Sequence, residues 1–575
     1  MVNENTILWR RWAELAEKHP EKTAIIHWVA GEVPIRWTYS KLIETAEKFS
    51  NLILKQGIKK GEVCAIILRH NPFFYPLYLG VSGTGALPAV LAYPNPRLHP
   101  DKFRQGLAGM SERSGLDHIF TEKDLEPIIR PFVESEQSTV NDLLFPLQWD
   151  LDKVDIKENY EELESIRNSI LPSEPLLLQH SSGTTGIQKP VVLSHKAILQ
   201  HVNNLADSLQ LNEDDIVASW LPLYHDMGLI GCFHTPLAFG IPIIQLDPFE
   251  WVLAPVILLE AISQEKATFA WLPNFAYNIL ADKVKEHELE GISLSSIKML
   301  INCSEPVRSE SHNKFASRFS NYGFNSSALG ASYAMAETTF AITQTERNIR
   351  AKEVNVDRNK LSQGVVEIIT DPNNPNTRTC VSSGKLINGC ALKIVDDNRN
   401  QVGDYIVGEI AVKSVSMFDG YRNYPEKTAA VLDSEGWYYT GDYGFVHQDE
   451  VYVIGRKKDI IIVAGKNIYP EDVEDIIGKV NGVIPGRVVA FGEDDPELGT
   501  EQISIVAETN LSSVSEKKKL KLEIIKAGID VDINIHKVYL VPSRWLIKSS
   551  AGKPSRKANK ERILNKNDEQ IWSDK

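Results

Sequence analysis

Residues 181–189 read SSGTTGIQK and follow the apolar run Leu176, Leu177 and Leu178. A short hydrophobic strand entering a loop of Gly, Ser and Thr that ends in lysine is phosphate-handling chemistry. Gly183 and Gly186 allow sharp turns and bring backbone N–H groups close to an anion. Ser181, Ser182, Thr184 and Thr185 add hydroxyl donors, and Lys189 adds a positive charge. The spacing is not that of a Walker loop, where Ser or Thr directly follows Gly-Lys. Here the lysine stands three positions after Gly186 and precedes Pro190. A plain Gly/Ser/Thr surface loop is the competing reading, and nine consecutive residues behind a buried strand weigh against it.

Outward from this loop, short apolar runs alternate with helical patterns through about residue 340, which points to parallel α/β layers. Strands are expected at 63–68, 86–93, 176–179, 216–220, 241–246, 268–272 and 297–302. Ser194 is placed to cap a helix whose apolar face is Ile198, Val202, Leu205 and Leu209. From about residue 362 short strands follow one another at 364–369, 391–395, 408–413, 436–440 and 450–454, a β-rich subdomain. The charged joint GRKKD (455–459) leads into a smaller unit, with a helix near 471–480, strands at 487–491 and 502–507, and an amphipathic helix over 511–528. The fold class expected is mixed α/β: a large N-terminal domain (1–457, its β-rich part about 362–457) and a small, mobile α+β C-terminal domain (458–575).

The 575 residues are 43% hydrophobic and 24% charged, the profile of a soluble globular protein. A formal net charge of −14 argues against binding nucleic acid through the surface at large. The basic run near 548–562 has no interleaved aromatics to stack bases. The five cysteines show neither CxxC pairs nor metal-ligand spacing, as expected of free thiols in a reducing compartment. Neither a signal core nor an apolar stretch of membrane-spanning length is apparent, so a cytoplasmic location is expected.

Further stretches carry chemistry only in combination. They are SWLPLYHDMGLIG (219–231), NCSEPVR (302–308), SYAMAE (332–337), TGD (440–442), GRKKDIIIVAGKNIYPEDVE (455–474) and KSSAGKPSR (548–556). TGD reads as a tight turn after a strand whose aspartate can accept two ribose hydroxyls.

With SSGTTGIQK, this ordered series resembles the adenylate-forming superfamily of acyl-CoA synthetases, peptide-synthetase adenylation domains and luciferases, over nearly the whole chain. Within it the chain is most similar to fatty-acyl-AMP ligases. That similarity rests on LPLYHDMGLIG, on WLPNFAYN (271–278), and on a long segment between Glu337 and Val381 that contains VDRNKL (356–361). The segment resembles the insertion that separates these ligases from their CoA-using relatives.

The resemblance implies attack of a carboxylate on the α-phosphate of ATP, giving an acyl-adenylate and pyrophosphate. Ser181, Ser182, Gly183, Thr184, Thr185, Gly186 and Lys189 would grip the phosphates, and Thr184 and Glu337 would share Mg²⁺. Tyr333 would stack on adenine, followed along the nucleotide by Ala334 and Met335, with Ser304, Glu305 and Pro306 lining the other side. Asp442 would take the ribose hydroxyls and Arg456 would reinforce it. Lys553 would bridge carboxylate and α-phosphate, and Lys458 would be the hinge about which the small domain turns for acyl transfer.

His225 would meet the carboxylate end of the substrate. Trp220, Met227, Phe239, Trp271, Phe275 and Tyr277 would wall an apolar pocket, with ordinary core packing an equal reading for each. The expected reaction is activation of a medium- or long-chain fatty acid, then loading onto an acyl carrier protein; an acyl-CoA ligase and a catalytically silent nucleotide-binding protein are the alternatives. The chain departs from the family pattern at Pro190, Ala334 and Ala464, each standing where a glycine is common.

Overall fold

The computed structural model describes the chain apart from residues 1, 95–99, 182–188, 372–373, 375, 464–465, 496–499, 532, 549–553, 565–569 and 574–575, and the side chains of 102 and 181. Its centre is a nine-stranded sheet. Six inner strands are parallel, in the spatial order Leu329–Ala334, Met299–Asn302, Phe269–Leu272, Val217–Ser219, Ile243–Gln245 and Thr23–His27. They are continuous apolar runs because helices cover both faces. Antiparallel strands close the edges, Ile35–Thr38 on one side and Ala341–Gln344 with Lys385–Leu386 on the other. A second, four-stranded sheet is all parallel: Leu87–Val90, Val63–Ile67, His118–Thr121 and Asp142–Leu144. All seven strands expected in this region form.

The helix His195–Leu209 starts where its cap places it, with Ser194 Oγ accepting from the Ala197 N–H at 3.2 Å. Ile198, Val202, Leu205 and Leu209 are each fully buried, and burying a side chain of this size stabilises by roughly 2 kcal/mol. Ser194→Ala removes a cap bond at a buried helix start and should cost about 1 kcal/mol in denaturant unfolding. An unchanged midpoint would show that the cap contributes nothing.

A four-stranded antiparallel sheet follows, built from Cys390–Val395, Gly408–Ser414, Tyr438–His447 and Glu450–Arg456. Two expectations fail here. Residues 364–369 make only single bridges, Val365 to Ile406 and Val356 to Ile368. The Val366 N–H goes to Tyr405 on one side while the Ile369 N–H goes to Asn355 on the other, so no ladder can propagate. The Thr440–Gly441–Asp442 stretch is also no turn after a strand. It lies inside Tyr438–His447 as a bulge, where Gly441 takes φ +71° and the pairing with 409–411 shifts register.

The C-terminal domain has its own sheet, in which Thr500–Thr509 pairs antiparallel with Val488–Asp495 and parallel with Ile535–Pro542. Its core includes Val473, Ile477, Ile505, Leu520 and Ile524. The helices Pro470–Gly478 and Val514–Ile529 stand where the apolar spacing puts them.

Candidate functional site

Strands Pro175–Ser181 and Lys189–Ser194 pair antiparallel, with Ser181 opposite Lys189, so the glycine-rich stretch joins the arms of a hairpin. Ser182, Gly183, Thr184, Thr185 and Gly186 lie outside the described residues, as does the Ser181 side chain. Lys189 Nζ donates to the Tyr421 hydroxyl at 3.3 Å and lies 4.5 Å from the centre of its ring. The Tyr421 hydroxyl in turn donates to Glu337 Oε1 at 2.6 Å. Burial pushes the Lys189 ammonium down in pKa; Glu337 opposes this, while Lys427 and Arg456 add to it. Lys458 is likewise pushed down by burial, with Asp459 opposing and Arg456 and Lys189 adding. Four cations therefore converge beside the hairpin, an arrangement that favours a polyanion.

Glu337 sits on the turn Ala336–Thr338 and is buried. Among the described residues no group of three or more His, Cys, Asp or Glu forms a metal cage. A lone buried carboxylate held by a tyrosine fits Mg²⁺, a hard ion that takes most of its ligands from substrate phosphates and water.

Strands Tyr438–His447 and Glu450–Arg456 place Asp442 directly opposite Arg456, whose Nε lies 3.4 Å from Asp442 Oδ1. Tyr333, near the end of Leu329–Ala334, donates its hydroxyl to Asp442 Oδ2 at 2.7 Å. Burial raises the Asp442 pKa, with Arg456 and the Tyr333 hydrogen bond holding it down. Tyr333 thus anchors the aspartate as well as offering a ring. Ala334 pairs with Ala341, and the Met335 N–H donates to Phe340 O at 2.9 Å. Ser304 takes a left-handed φ of +68° at the end of strand Met299–Asn302, and Glu305 Oε2 accepts from the Phe275 N–H at 3.0 Å. The turn that contains Pro306 is therefore tied to the start of the helix Asn274–Lys283.

The residues expected to wall an apolar pocket make several different contacts. Trp220 lies T-shaped to Phe275 at 6.2 Å, and it stacks flat on Trp251 with centroids 3.7 Å apart. Trp251 was not among the expected wall residues; no spacing relates it to Trp220. Met227 begins a π-helix over Met227–His234, and its sulfur lies 3.7 Å from Ser304 Oγ. Such i→i+5 turns gather at functional sites. Gly228 is obligatory there, because a Cβ would stand 2.3 Å from Pro222 O. His225 lies just before this helix, its ring 4.9 Å from that of Tyr224. Tyr277 packs instead against His312 and Phe315, Trp271 against Phe269, and Phe239 ends a helix that meets Leu8–Lys18. All six expected wall residues and Trp251 belong to, or pack against, one hydrophobic core.

Lys553 lies outside the described residues, but Lys548 and Pro554 on either side of 549–553 form a β-bridge. Burial, together with Arg487, lowers the Lys548 pKa to about 8, and Glu305 and Lys283 of the large domain are among the charges acting on it. Other contacts dock the small domain. Arg308 reaches Asp475 at 3.0 Å and the Glu471 carbonyl at 3.1 Å, and Arg378 reaches Asp472 at 2.9 Å. Arg378 lies on Thr377–Val381, which pairs with Glu353–Asp357 inside the insertion-like segment. Asp357 of VDRNKL caps the short helix Arg358–Ser362.

The sequence pattern of the family described as AMP-binding enzyme matches residues 12–422. A putative acyl-CoA synthetase of Caulobacter vibrioides is 27% identical, over 93% of this chain and 91% of that protein. The probable long-chain-fatty-acid–AMP ligase FadD30 of Mycobacterium tuberculosis is 28% identical, over 91% of each chain. A fatty acyl-adenylate ligase from L. pneumophila, solved with acyl adenylate and pyrophosphate, superposes with a TM-score of 0.73 at 27% identity, covering 99% of this chain and 98% of that one.

Proposed function

The chain belongs to the AMP-binding, adenylate-forming enzyme family, and from that premise we propose that it activates a medium- or long-chain fatty acid with ATP and loads it onto the phosphopantetheine thiol of an acyl carrier protein. The observation that carries this reading is the convergence of Lys189, Tyr421 and Glu337 with Tyr333, Asp442 and Arg456. One group suits a metal-bound triphosphate and the other suits a ribose.

Asp442, held by Tyr333 and Arg456, accepts the ribose hydroxyls. Lys189, with Arg456 and Lys458 nearby, neutralises the phosphates. Glu337 would hold Mg²⁺, which when bound would offset charge developing on the phosphoryl oxygens. The remaining task is to keep two anions in line. Lys553 of the KSSAGKPSR stretch is the residue we assign to bridge the attacking carboxylate and the α-phosphate. The aromatic group of Trp220, Trp251 and Phe275 favours an apolar acid, and His225 stands at its carboxylate end.

Transfer to the carrier requires the small domain to turn about Lys458, the first residue after a boundary at 457. The Arg308 and Arg378 contacts to the Pro470–Gly478 helix oppose that turn. Arg378 lies on the insertion-like segment, and the resemblance of that segment to the one in fatty-acyl-AMP ligases is what favours a carrier protein over CoA.

The test is mass spectrometry of products from purified protein with ATP, Mg²⁺ and a series of fatty acids. Parallel reactions contain no thiol, CoA, or phosphopantetheinylated carrier protein. Acyl-adenylate that loads the carrier and leaves CoA unreacted is the expected result. Acyl-CoA formed at a comparable rate would make the chain a CoA ligase, and no adenylate with any acid would overturn the reading.

A further inference from the structure

Tyr421 lies in none of the stretches that point to a nucleotide, yet it stands between two opposite charges of the site. Its hydroxyl gives its one proton to Glu337 Oε1 at 2.6 Å and accepts from Lys189 Nζ at 3.3 Å. The lysine ammonium also rests 4.5 Å from the ring centre. The ring is fixed from several sides. Its backbone bridges Val191 on the hairpin, its N–H donates to Thr428 Oγ1 at 2.9 Å, and Phe418 packs against it at 5.0 Å. The hydroxyl lies 3.3 Å from that of Tyr438. Only 4% of Tyr421 is exposed.

An ammonium and a carboxylate on either side of one hydroxyl, the first partly buried and the second buried, attract strongly. Were they to meet, each would cancel the charge the other must offer to the nucleotide. A hydroxyl can donate to one and accept from the other at once. We propose that Tyr421 is a positioning residue that holds Lys189 and Glu337 apart, leaving the lysine free for phosphate and the carboxylate free for Mg²⁺ before the nucleotide arrives. The proposal rests on the adenylation reading of this site.

Tyr421→Phe keeps the ring beneath Lys189 and deletes only the hydroxyl. ATP binding is measured by calorimetry, in EDTA and in Mg²⁺, for the wild type, Tyr421→Phe, Lys189→Met, Glu337→Gln and the double variants. Tyr421→Phe should weaken metal-free ATP binding about tenfold, the scale of a hydrogen bond to a charged group. In the Lys189→Met background the same change should alter binding by less than about twofold, because no lysine remains to be captured. Combining Tyr421→Phe with Glu337→Gln should restore metal-free ATP binding to near the wild-type value, since the competing carboxylate charge is gone.

Wild-type ATP binding by Tyr421→Phe would overturn the proposal. So would equal losses in every background, the signature of a residue that merely supports the fold. Glu337→Gln alone should abolish the gain in affinity that Mg²⁺ confers. If it does not, the metal assignment of Glu337 fails, separately from the role of Tyr421.

Discussion

Arg556→Met is expected to destabilise the C-terminal domain by roughly 3 kcal/mol or more at neutral pH, the scale for breaking a buried ion pair. The Arg556 guanidinium reaches Asp459 at 3.0 Å, Glu471 at 2.7 Å and Glu474 at 2.7 Å. Without it three carboxylates face one another in a mostly buried space. Glu471 also packs against the joint, within 3.2 Å of where a Cβ on Gly455 would stand. The damage should therefore spread from the small domain to its attachment.

The pH dependence has a definite sign. Burial already raises the Glu474 pKa, with Arg556 opposing, so removing Arg556 raises it further. A carboxyl with a raised folded pKa favours the folded state below its unfolded pKa and loses that advantage as pH rises through the folded value. The defect should thus shrink as the pH is lowered from 7 towards the carboxylate range. Thermal melts at several pH values check this, and a defect independent of pH would mean that repulsion among these carboxylates is not its cause.

Lys553→Ala should lower the rate of acyl-adenylate formation by about a hundredfold to a thousandfold, the cost of removing one preorganised donor to developing charge. ATP binding should change little, because Lys189, Asp442 and Arg456 all lie on the large domain side of the joint. Lys553 is then asked only to add charge at the reacting end of the nucleotide, not to bear the whole triphosphate. Single-turnover quench measurements separate the two quantities. Adenylate at the wild-type rate would remove Lys553 from the catalytic role, and a parallel loss of ATP binding would make it a binding residue.

Much of the fold is legible in the chain because its signals are local. The parallel strands are short apolar runs, and Ser194 with Ile198, Val202, Leu205 and Leu209 describes a capped amphipathic helix within sixteen residues. Residues 364–369 mislead for the same reason. They have strand composition, but the partners that decide the matter lie on opposite sides, Asn355 before the segment and Tyr405 well after it.

The site divides in the same way. Asp442 and Arg456 fall on two sequential strands joined by a short turn, so a sequence pattern can hold both. Tyr421 is invisible to such a pattern, because Glu337 lies 84 residues before it and Lys189 lies 232 residues before it. Trp251 is hidden for a related reason: flat stacking on Trp220 is a product of helix placement, not of spacing.

These long separations bear on biogenesis. The hairpin carrying Lys189 and the parallel strands of the central sheet are all synthesised by residue 334. Tyr421, Asp442 and Arg456 are all made later, and Lys553 later still. A ribosome-bound chain can therefore fold its sheet well before it can consume ATP. A chain released early, through a stalled ribosome or a premature stop codon, would be an inert fragment rather than a source of stray acyl-adenylate.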